Sequence, residues 1–229
     1  MNGGYEKKIT ILEQEIKKFI TCSFDEFKLV IVTKSQDENR ILEIINHGYK
    51  VFGENYIDEA IRKIEFFRKY RLEWHFIGKI QSNKIKKLCK YFDWIQTICS
   101  EKHAMLLNEE CLKNHKYMNA CIQVNLDKEP SKSGIDISDL SEFLTQMDKF
   151  KNILIRGLMA IPKKSNVLKE RSDSYNILRL AFEKHKEQRE GFDTLSLGMS
   201  NDYIDALKNG STMLRVGQYI FGEREKNEK

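Results

Sequence analysis

The sequence predicts an α/β protein built as a single (β/α)8 barrel with an extra helix at its N-terminus. Apolar, β-branched runs of strand length alternate with amphipathic helical patterns along most of the 229 residues, and such alternation is typical of a parallel sheet covered by helices. About eight strand–helix units are present, the number that closes a barrel. No stretch rich in Pro, Gly or Ser divides the chain. We therefore expect one domain over residues 1–229, with the barrel proper over about 27–224. An open doubly wound sheet is the alternative, because it shows the same alternation.

The individual elements follow from the spacing of apolar residues. An opening amphipathic helix is predicted over Tyr5–Ile20, where apolar residues recur near helical spacing: Ile9, Ile11, Leu12, Ile16, Phe19 and Ile20. Short apolar runs predict strands at Phe27–Thr33, Lys50–Gly53, Glu73–Ile77, Asp93–Ile98, Met118–Leu126, Leu154–Ala160, Thr194–Leu197 and Met213–Val216. Longer amphipathic stretches predict helices at Glu38–Asn46, Ile57–Tyr70, Glu101–Asn114, Leu140–Phe150, Val167–Gln188 and Asp202–Lys208.

The charge pattern permits a nucleic-acid partner but does not indicate one, and we expect neither a nucleic-acid nor a membrane partner. Lys and Arg number 39 against 34 Asp and Glu, a formal net charge of +5 that is mixed along the chain. The densest basic stretch, Lys84–Lys90, has Ile85 and Leu88 at helical spacing and lacks interleaved aromatic residues for base stacking, so it predicts a solvated helix face. No apolar run approaches the ~20 residues of a membrane span, and the first residues lack a signal-peptide core.

The cysteines indicate a reducing compartment. Five cysteines are widely spaced, with no CxxC pair for zinc or thiol exchange. We therefore expect no metal site and a cytoplasmic location, with the mitochondrion as the alternative.

Lys34 stands at the end of the first predicted strand, after an apolar run that ends in Val32. In a parallel barrel the carboxyl ends of the strands face the active site. Partial burial there lowers the pKa of an amine and makes the neutral, nucleophilic form more available, which suits Schiff-base formation. The alternative is a lysine whose aliphatic stem leads its charge out of the barrel mouth to water.

Polar residues also lie near the ends of the second and third strands, so we expect them to face the same mouth. His75 lies in the third strand, and Glu54 and Asn55 end the second. Each has a structural alternative: His75 as a core histidine with satisfied hydrogen bonds, and Glu54 or Asn55 as caps of the next helix.

The segments after the last two strands predict a phosphate site. Barrels often build one there from loop amides and a helix N-terminus. Gly198 and Gly217 let the backbone approach an anion, and Ser200 can offer a hydroxyl; tight turns alone are the alternative for the glycines. Arg215, between apolar neighbours, needs a buried partner such as a carboxylate or a ring nitrogen. Together with Lys34 these residues indicate one ligand, an aldehyde that carries a phosphate.

Several consecutive segments resemble those of a known family. They are VTKSQ, GYKVFGENYIDEA, WHFIGKIQSNK, QVNLDKEPSKSGI, IRGLMAIP and SLGMSNDYIDALKNGSTMLRVGQYIFGER, which span Val32 to Arg224. In this order they resemble the pyridoxal phosphate homeostasis proteins, which are similar to the N-terminal barrel of alanine racemases, the fold-type III enzymes of pyridoxal 5'-phosphate (PLP). The resemblance implies a (β/α)8 barrel with PLP as cofactor.

The resemblance also implies roles for individual residues. Lys34 would form the internal aldimine, and Arg215 would face the pyridine nitrogen. The phosphate would be held by Ser200, the backbone around Met199 and the amides of Gly217 and Gln218. Asn55 and His75 match polar positions around the cofactor, and the loop 131–134 (Ser-Lys-Ser-Gly) suggests a lid or an auxiliary phosphate contact.

Two positions depart from the family pattern. The family commonly has Thr or another small residue where Gln218 stands, so an amide replaces a hydroxyl there. The family's Pro-Leu after the third strand is Lys79-Ile80 here, which predicts a more flexible loop.

The function implied is that of a PLP-binding regulator or carrier that acts in vitamin B6 homeostasis and amino-acid balance without robust catalysis. In racemases of this fold the second base comes from a C-terminal domain, which we expect this chain to lack. PLP, amino acids and PLP-dependent apoenzymes are the expected partners of a monomer. The alternatives are an amino-acid racemase whose second base is His75 or Tyr56, and a cofactor-free Schiff-base lyase or aldolase that uses Lys34.

Overall fold

The computed structural model describes residues 4–20, 22–126, 133–162 and 168–222, and within them eight parallel strands pair in chain order into a closed barrel. The strands are β1 Lys28–Val32, β2 Val51–Glu54, β3 Glu73–Phe76, β4 Trp94–Ile98, β5 Met118–Val124, β6 Ile153–Ala160, β7 Thr194–Ser196 and β8 Met213–Val216. Closure is direct, because β8 pairs with β1 from Lys28↔Met213 to Ile31↔Val216. The barrel prediction is therefore confirmed, and the open sheet is excluded.

Helices connect the strands and cover the barrel. In the described residues they are α1 Gly4–Phe19, α2 Glu38–Asn46, α3 Ile57–Phe66, α4 Ile85–Tyr91, α5 Glu101–Lys113, α6 Leu140–Met147, α7 Leu168–Lys186, α8 Tyr203–Lys208 and α9 Gln218–Phe221. Within this set no helix is both long enough and apolar enough to cross a membrane.

Most predicted elements agree with the structure to within a few residues. The predicted helix over 57–70 is one difference, since α3 ends at Phe66 and a short 3-10 turn, Arg68–Tyr70, follows it. Arg71 then adopts a left-handed backbone with φ 53°, a conformation that cannot continue a right-handed helix. Residue 167, the first residue of the helix predicted over 167–188, lies outside the described residues.

The buried apolar residues form two clusters, one between the strands and the helices and one inside the barrel. The large cluster fills the space between strands and helices; it includes Ile9, Leu12 and Ile16 of α1, which are fully buried. The small cluster consists of Val30, Trp94, Cys121, Met159 and Met213. Residues at matching register positions of neighbouring strands share a face.

By that rule, Arg215, paired with Val30, and His75, paired with Trp94, point into the barrel. The barrel interior therefore holds charged and polar side chains together with only a few apolar ones.

Candidate functional site

Lys34 lies at the carboxyl end of the barrel, in a turn that begins just after β1. Its side chain is half-buried. The next residue, Ser35, has φ 60°, a left-handed conformation that is uncommon for a residue with a Cβ. The position of Lys34 at the mouth is thus as expected, and the turn that carries it is conformationally specific.

The loop after β8 lies directly against the strand that leads to Lys34. A Cβ placed on Gly217 would come within 2.8 Å of the carbonyl oxygen of Val32, so only glycine allows this approach. Gly217 also stands immediately before α9. The tertiary structure therefore brings the backbone of the predicted phosphate loop next to the lysine turn.

Hydrogen bonds join the loops after β7 and β8. The backbone N–H of Tyr219 donates to the Ser200 hydroxyl at 2.9 Å, and the N–H of Met199 donates to Asp202 Oδ1 at 2.6 Å. Gly198 has φ 91°, and a Cβ there would lie 2.6 Å from a Leu214 methyl. Ser200 accepts in its bond to Tyr219 and so retains its own O–H for donation. The N–H groups of Tyr219 and Met199 are both engaged within the protein, so the anion cradle that the loops offer consists of the Ser200 O–H and the backbone of Gly217 and Gln218 at the start of α9.

Arg215 is buried, with 4% of its surface exposed. Its Nη1 donates to the carbonyl oxygen of Ser196 at 2.8 Å and to its hydroxyl at 2.5 Å, while Nη2 donates to the carbonyl oxygen of Ala160 at 2.9 Å. Burial lowers the pKa of the guanidinium from its ordinary value. None of these acceptors carries a charge. The arrangement leaves a buried cation that can still bind an electron-rich ligand atom.

A chain of hydrogen bonds runs from Arg215 through the barrel interior to His75. Ser196 Oγ donates to Gln96 Oε1 at 2.7 Å, Gln96 Nε2 lies 2.8 Å from His75 Nδ1, and His75 Nε2 lies 2.7 Å from Glu73 Oε1. An amide nitrogen can only donate, so His75 Nδ1 accepts and its Nε2 carries the proton that goes to Glu73. Each hydrogen bond in this series is therefore donated in the direction from Arg215 toward Glu73. His75, with one protonated ring nitrogen, is neutral.

Both ring nitrogens of His75 are thus engaged by protein. The ring stacks on Trp94 at 5.1 Å between centroids and is fully buried. The geometry matches the core-histidine alternative and favours an indirect role, in which His75 supports Gln96 and Ser196 below Arg215.

The neutral state of His75 predicts a pH dependence of stability. Burial lowers the pKa of His75 below its ordinary value of 6.5, so the unfolded chain binds more protons and stability falls as pH drops below about 6.5, by at most about 1.4 kcal/mol per pH unit. Glu73 does not interfere: burial opposes ionisation, but hydrogen bonds from His75 and Lys28 lower its pKa to about 2.

The measurement is urea unfolding at pH 7.5 and 5.5 for the native protein and His75→Gln, which is neutral at both pH values. We expect the native protein to lose more stability than the variant on acidification. The other histidines are common to both proteins, so equal losses would contradict the assignment.

Asn55 follows β2 at the mouth. Its Oδ1 is buried and has no hydrogen-bond partner within the described part of the chain. An unsatisfied buried acceptor is costly, which is explained if a ligand supplies the donor. Together with the anion cradle and the buried cation of Arg215, this acceptor fits a phosphorylated aromatic aldehyde, so the residues present are compatible with PLP.

The structure describes only part of the predicted loop 131–134. Residues 131 and 132 lie outside the described residues. The carbonyl oxygen of Ser133 accepts a hydrogen bond from Gln123 Nε2 at 3.0 Å. Gly134 has φ 133°, and a Cβ there would lie 2.6 Å from the backbone nitrogen of Asn125. The end of the loop is therefore anchored at the end of β5, and the role suggested for the loop stays a prediction.

The sequence reading missed a buried ionic cluster beneath the Lys34 turn. It consists of Glu54, Glu59 and Lys63, which we call the Lys63 cluster. Lys63 Nζ lies 2.7 Å from Glu54 Oε1 and 2.6 Å from Glu59 Oε1. The i,i+4 spacing of Glu59 and Lys63 on a predicted helix was the available signal. Glu54, assigned in sequence to the mouth or to a helix cap, belongs instead to this cluster.

Gln96 and Ser196 were also missed. They are polar residues inside apolar runs, a pattern that signals an interior position without revealing a partner.

Comparisons with known proteins identify relatives of this chain in sequence and in fold. The family model of the alanine racemase N-terminal domain matches residues 12–225. The pyridoxal phosphate homeostasis protein of Pasteurella multocida is 39% identical over 202 residues, which cover 86% of this chain and 87% of the relative. That of Escherichia coli K12 is 38% identical over 208 residues, covering 90% and 89%. The PLP-bound structure of PipY from Synechococcus elongatus PCC7942 superposes with a TM-score of 0.83 at 30% identity, covering 94% of this chain and 99% of PipY.

Proposed function

This chain belongs to the pyridoxal phosphate homeostasis protein family, within the alanine racemase N-terminal domain family, and from that premise we propose that it binds PLP at the carboxyl end of its barrel, covalently through Lys34. The observation that carries the proposal is the contact between Gly217 and the Val32 carbonyl. This close approach supports the proposal because the predicted phosphate loop then lies next to the turn that carries Lys34. PLP, when bound, supplies an aldehyde that condenses with an amine.

Other residues of the chain bind the phosphate and the remaining polar groups of the ligand. The Ser200 hydroxyl and the backbone amides of Gly217 and Gln218 hold the phosphate, since N–H and O–H donors favour an anion. The N–H of Met199, also expected there from the sequence, donates instead to Asp202. Replacement of a hydroxyl by the Gln218 side chain leaves the backbone donors in place. The orphan Oδ1 of Asn55 accepts a hydrogen bond from the ligand.

Arg215 sets the character of the site. Its guanidinium donates to the ring nitrogen and does not yield a proton to it. An unprotonated ring withdraws electrons weakly, so the site favours holding the aldehyde over extended carbanion chemistry. Through Ser196 and Gln96, His75 keeps Arg215 oriented. This is the physical support for a carrier or regulator of PLP without robust catalysis.

In this proposal the protein is a cytoplasmic, single-domain monomer that limits free PLP and so influences amino-acid balance, with amino acids and PLP-dependent apoenzymes as partners. The racemase alternative requires a second base. His75 has both ring nitrogens engaged, which leaves Tyr56, 58% exposed. Incorporation of solvent deuterium at the α-position of an amino acid, at a rate well above that of free PLP, would favour the racemase over the carrier.

The direct test is to add PLP to the protein, record the absorption spectrum, reduce with borohydride and map the label by mass spectrometry. We expect a Schiff-base band and a phosphopyridoxyl label on Lys34. The chain has many other lysines on its surface, so a label spread among them, or a band that a small excess of free amine removes at once, would refute a dedicated site.

A further inference from the structure

The backbone on both sides of Lys34 is held from below by the Lys63 cluster. Lys63 Nζ donates to the carbonyl oxygen of Thr33 at 2.6 Å, and Glu59 Oε1 accepts from the N–H of Ser35 at 2.6 Å. Thr33 Oγ1 also donates to Glu54 Oε1 at 2.7 Å. Three groups of β2 and α3 thus bind the residues immediately before and after Lys34.

The ammonium group of Lys63 has a hydrogen-bond acceptor for each of its three N–H donors. Its three N–H donors have three acceptors, the carbonyl oxygen of Thr33 and one carboxylate oxygen each of Glu54 and Glu59. It is 3% exposed, and the side chain of Glu54 is fully buried. A lysine so enclosed has a single geometry and cannot relocate to another partner without leaving a buried carboxylate unpaired.

Glu59 secures the strained part of the turn. Ser35 has φ 60°, and a residue with a Cβ keeps a left-handed backbone only where its surroundings impose it. The bond from Ser35 N–H to Glu59 is such a constraint. The side chain of Glu59 is 20% exposed, so water can replace its carboxylate at Lys63 if it is removed, whereas the anchor of Ser35 would be lost.

We propose that Glu54, Glu59 and Lys63 are positioning residues that fix the direction in which Lys34 leaves β1. Within the described part of the chain, their hydrogen bonds go to one another and to Thr33 and Ser35, not to the residues of the phosphate cradle. They act on the Lys34 backbone, and their effect is to present the amine at the mouth in one orientation instead of many. The inference rests on the proposed function of Lys34, since it assigns the cluster to the reaction of that amine with PLP.

The test compares Glu59→Ala with Glu59→Gln and Asp58→Ala. Alanine removes the acceptor of Ser35 N–H, whereas glutamine keeps an oxygen at Oε1 and loses only the charge. Asp58 is the matched control: it is the neighbouring carboxylate on α3, it binds two lysines, Lys84 and Lys87, and it makes no bond to the Lys34 turn.

Two quantities are measured. In protein free of PLP, amide hydrogen exchange of residues 33–36 reports the turn itself. After mixing with PLP, the rate of appearance of the Schiff-base band reports the amine. For Glu59→Ala we expect faster exchange and band formation slower on the order of tenfold, as for a modest displacement of a reacting group. Glu59→Gln and Asp58→Ala should match the native protein in both.

The outcomes separate the inference from the proposed function. Absence of a Lys34-linked band in the native protein refutes the proposed function, and the exchange data still show whether the cluster orders the turn. A normal native band with Glu59→Ala as fast as native overturns the inference alone. If Glu59→Gln is as slow as Glu59→Ala, the effect comes from charge and positioning is overturned. If Asp58→Ala is equally slow, the effect is not specific to the cluster.

Discussion

Replacing Lys34 by alanine is expected to abolish the Schiff-base band and borohydride fixation of PLP. The phosphate cradle and Arg215 do not include the Lys34 side chain, so weak noncovalent binding should remain. The affinity for PLP should fall by at least on the order of a hundredfold, because a hundredfold change in affinity corresponds to only about 2.8 kcal/mol and a covalent link contributes more than that. The measurements are the absorption spectrum and the phosphate content after desalting.

Lys79→Ala is the matched control for this variant. Lys79 follows β3 at the same end of the barrel and is exposed. A general effect of losing a lysine at the mouth would appear in both variants. Persistence of the band in Lys34→Ala, or its loss in Lys79→Ala, would contradict the assignment of the Schiff base to Lys34.

Replacing Lys63 by methionine is expected to lower the free energy of unfolding by about 3–5 kcal/mol at neutral pH. Methionine preserves much of the aliphatic length but leaves the buried Glu54 without its cation. Glu54 Oε2 already has no hydrogen-bond partner among the described residues, so the carboxylate depends on its bonds to Lys63 and Thr33 through Oε1. Urea unfolding of the two proteins measures the loss.

The loss in Lys63→Met should depend on pH. In the native protein burial raises the pKa of Glu54 above its ordinary value of 4.5, although Lys63 and Thr33 act against the rise. Removing Lys63 raises the pKa further. A group whose folded pKa exceeds its unfolded pKa contributes stability at low pH and loses it as pH rises through the folded value. The variant should therefore lose less stability, relative to the native protein, at pH 5 than at pH 8.

Glu54→Gln combined with Lys63→Met is the control, because a neutral amide needs no cation. The double variant should recover part of the stability at pH 8 and show little of the pH dependence. An equal loss at both pH values in Lys63→Met, unchanged in the double variant, would mean that lost packing and not the unpaired carboxylate explains the destabilisation.

The predicted site residues differ in how well their setting can be deduced from sequence. Strand ends are readable from apolar runs, so the sequence predicts Lys34, Arg215 and Gly217 near the carboxyl ends of the first and last strands, β1 and β8. His75 was expected beside the cofactor, but its ring nitrogens meet Glu73 and Gln96, which come from its own strand and the next one. A histidine in a strand has the same local pattern whether its partners are protein or ligand, so the sequence could not separate the two.

The barrel follows from the sequence alone because strand and helix periodicities are local properties and eight repeated units leave few ways to bury their apolar faces. The motifs likewise suffice to identify the family. Hydrogen-bond partners, by contrast, are decided by the tertiary structure. Gln96 and Ser196 are one hundred positions apart in the chain, and Lys63 reaches Thr33 across 30 positions. Such pairs have no local signal, because burial makes each polar group depend on whichever complementary group the closed barrel brings within reach.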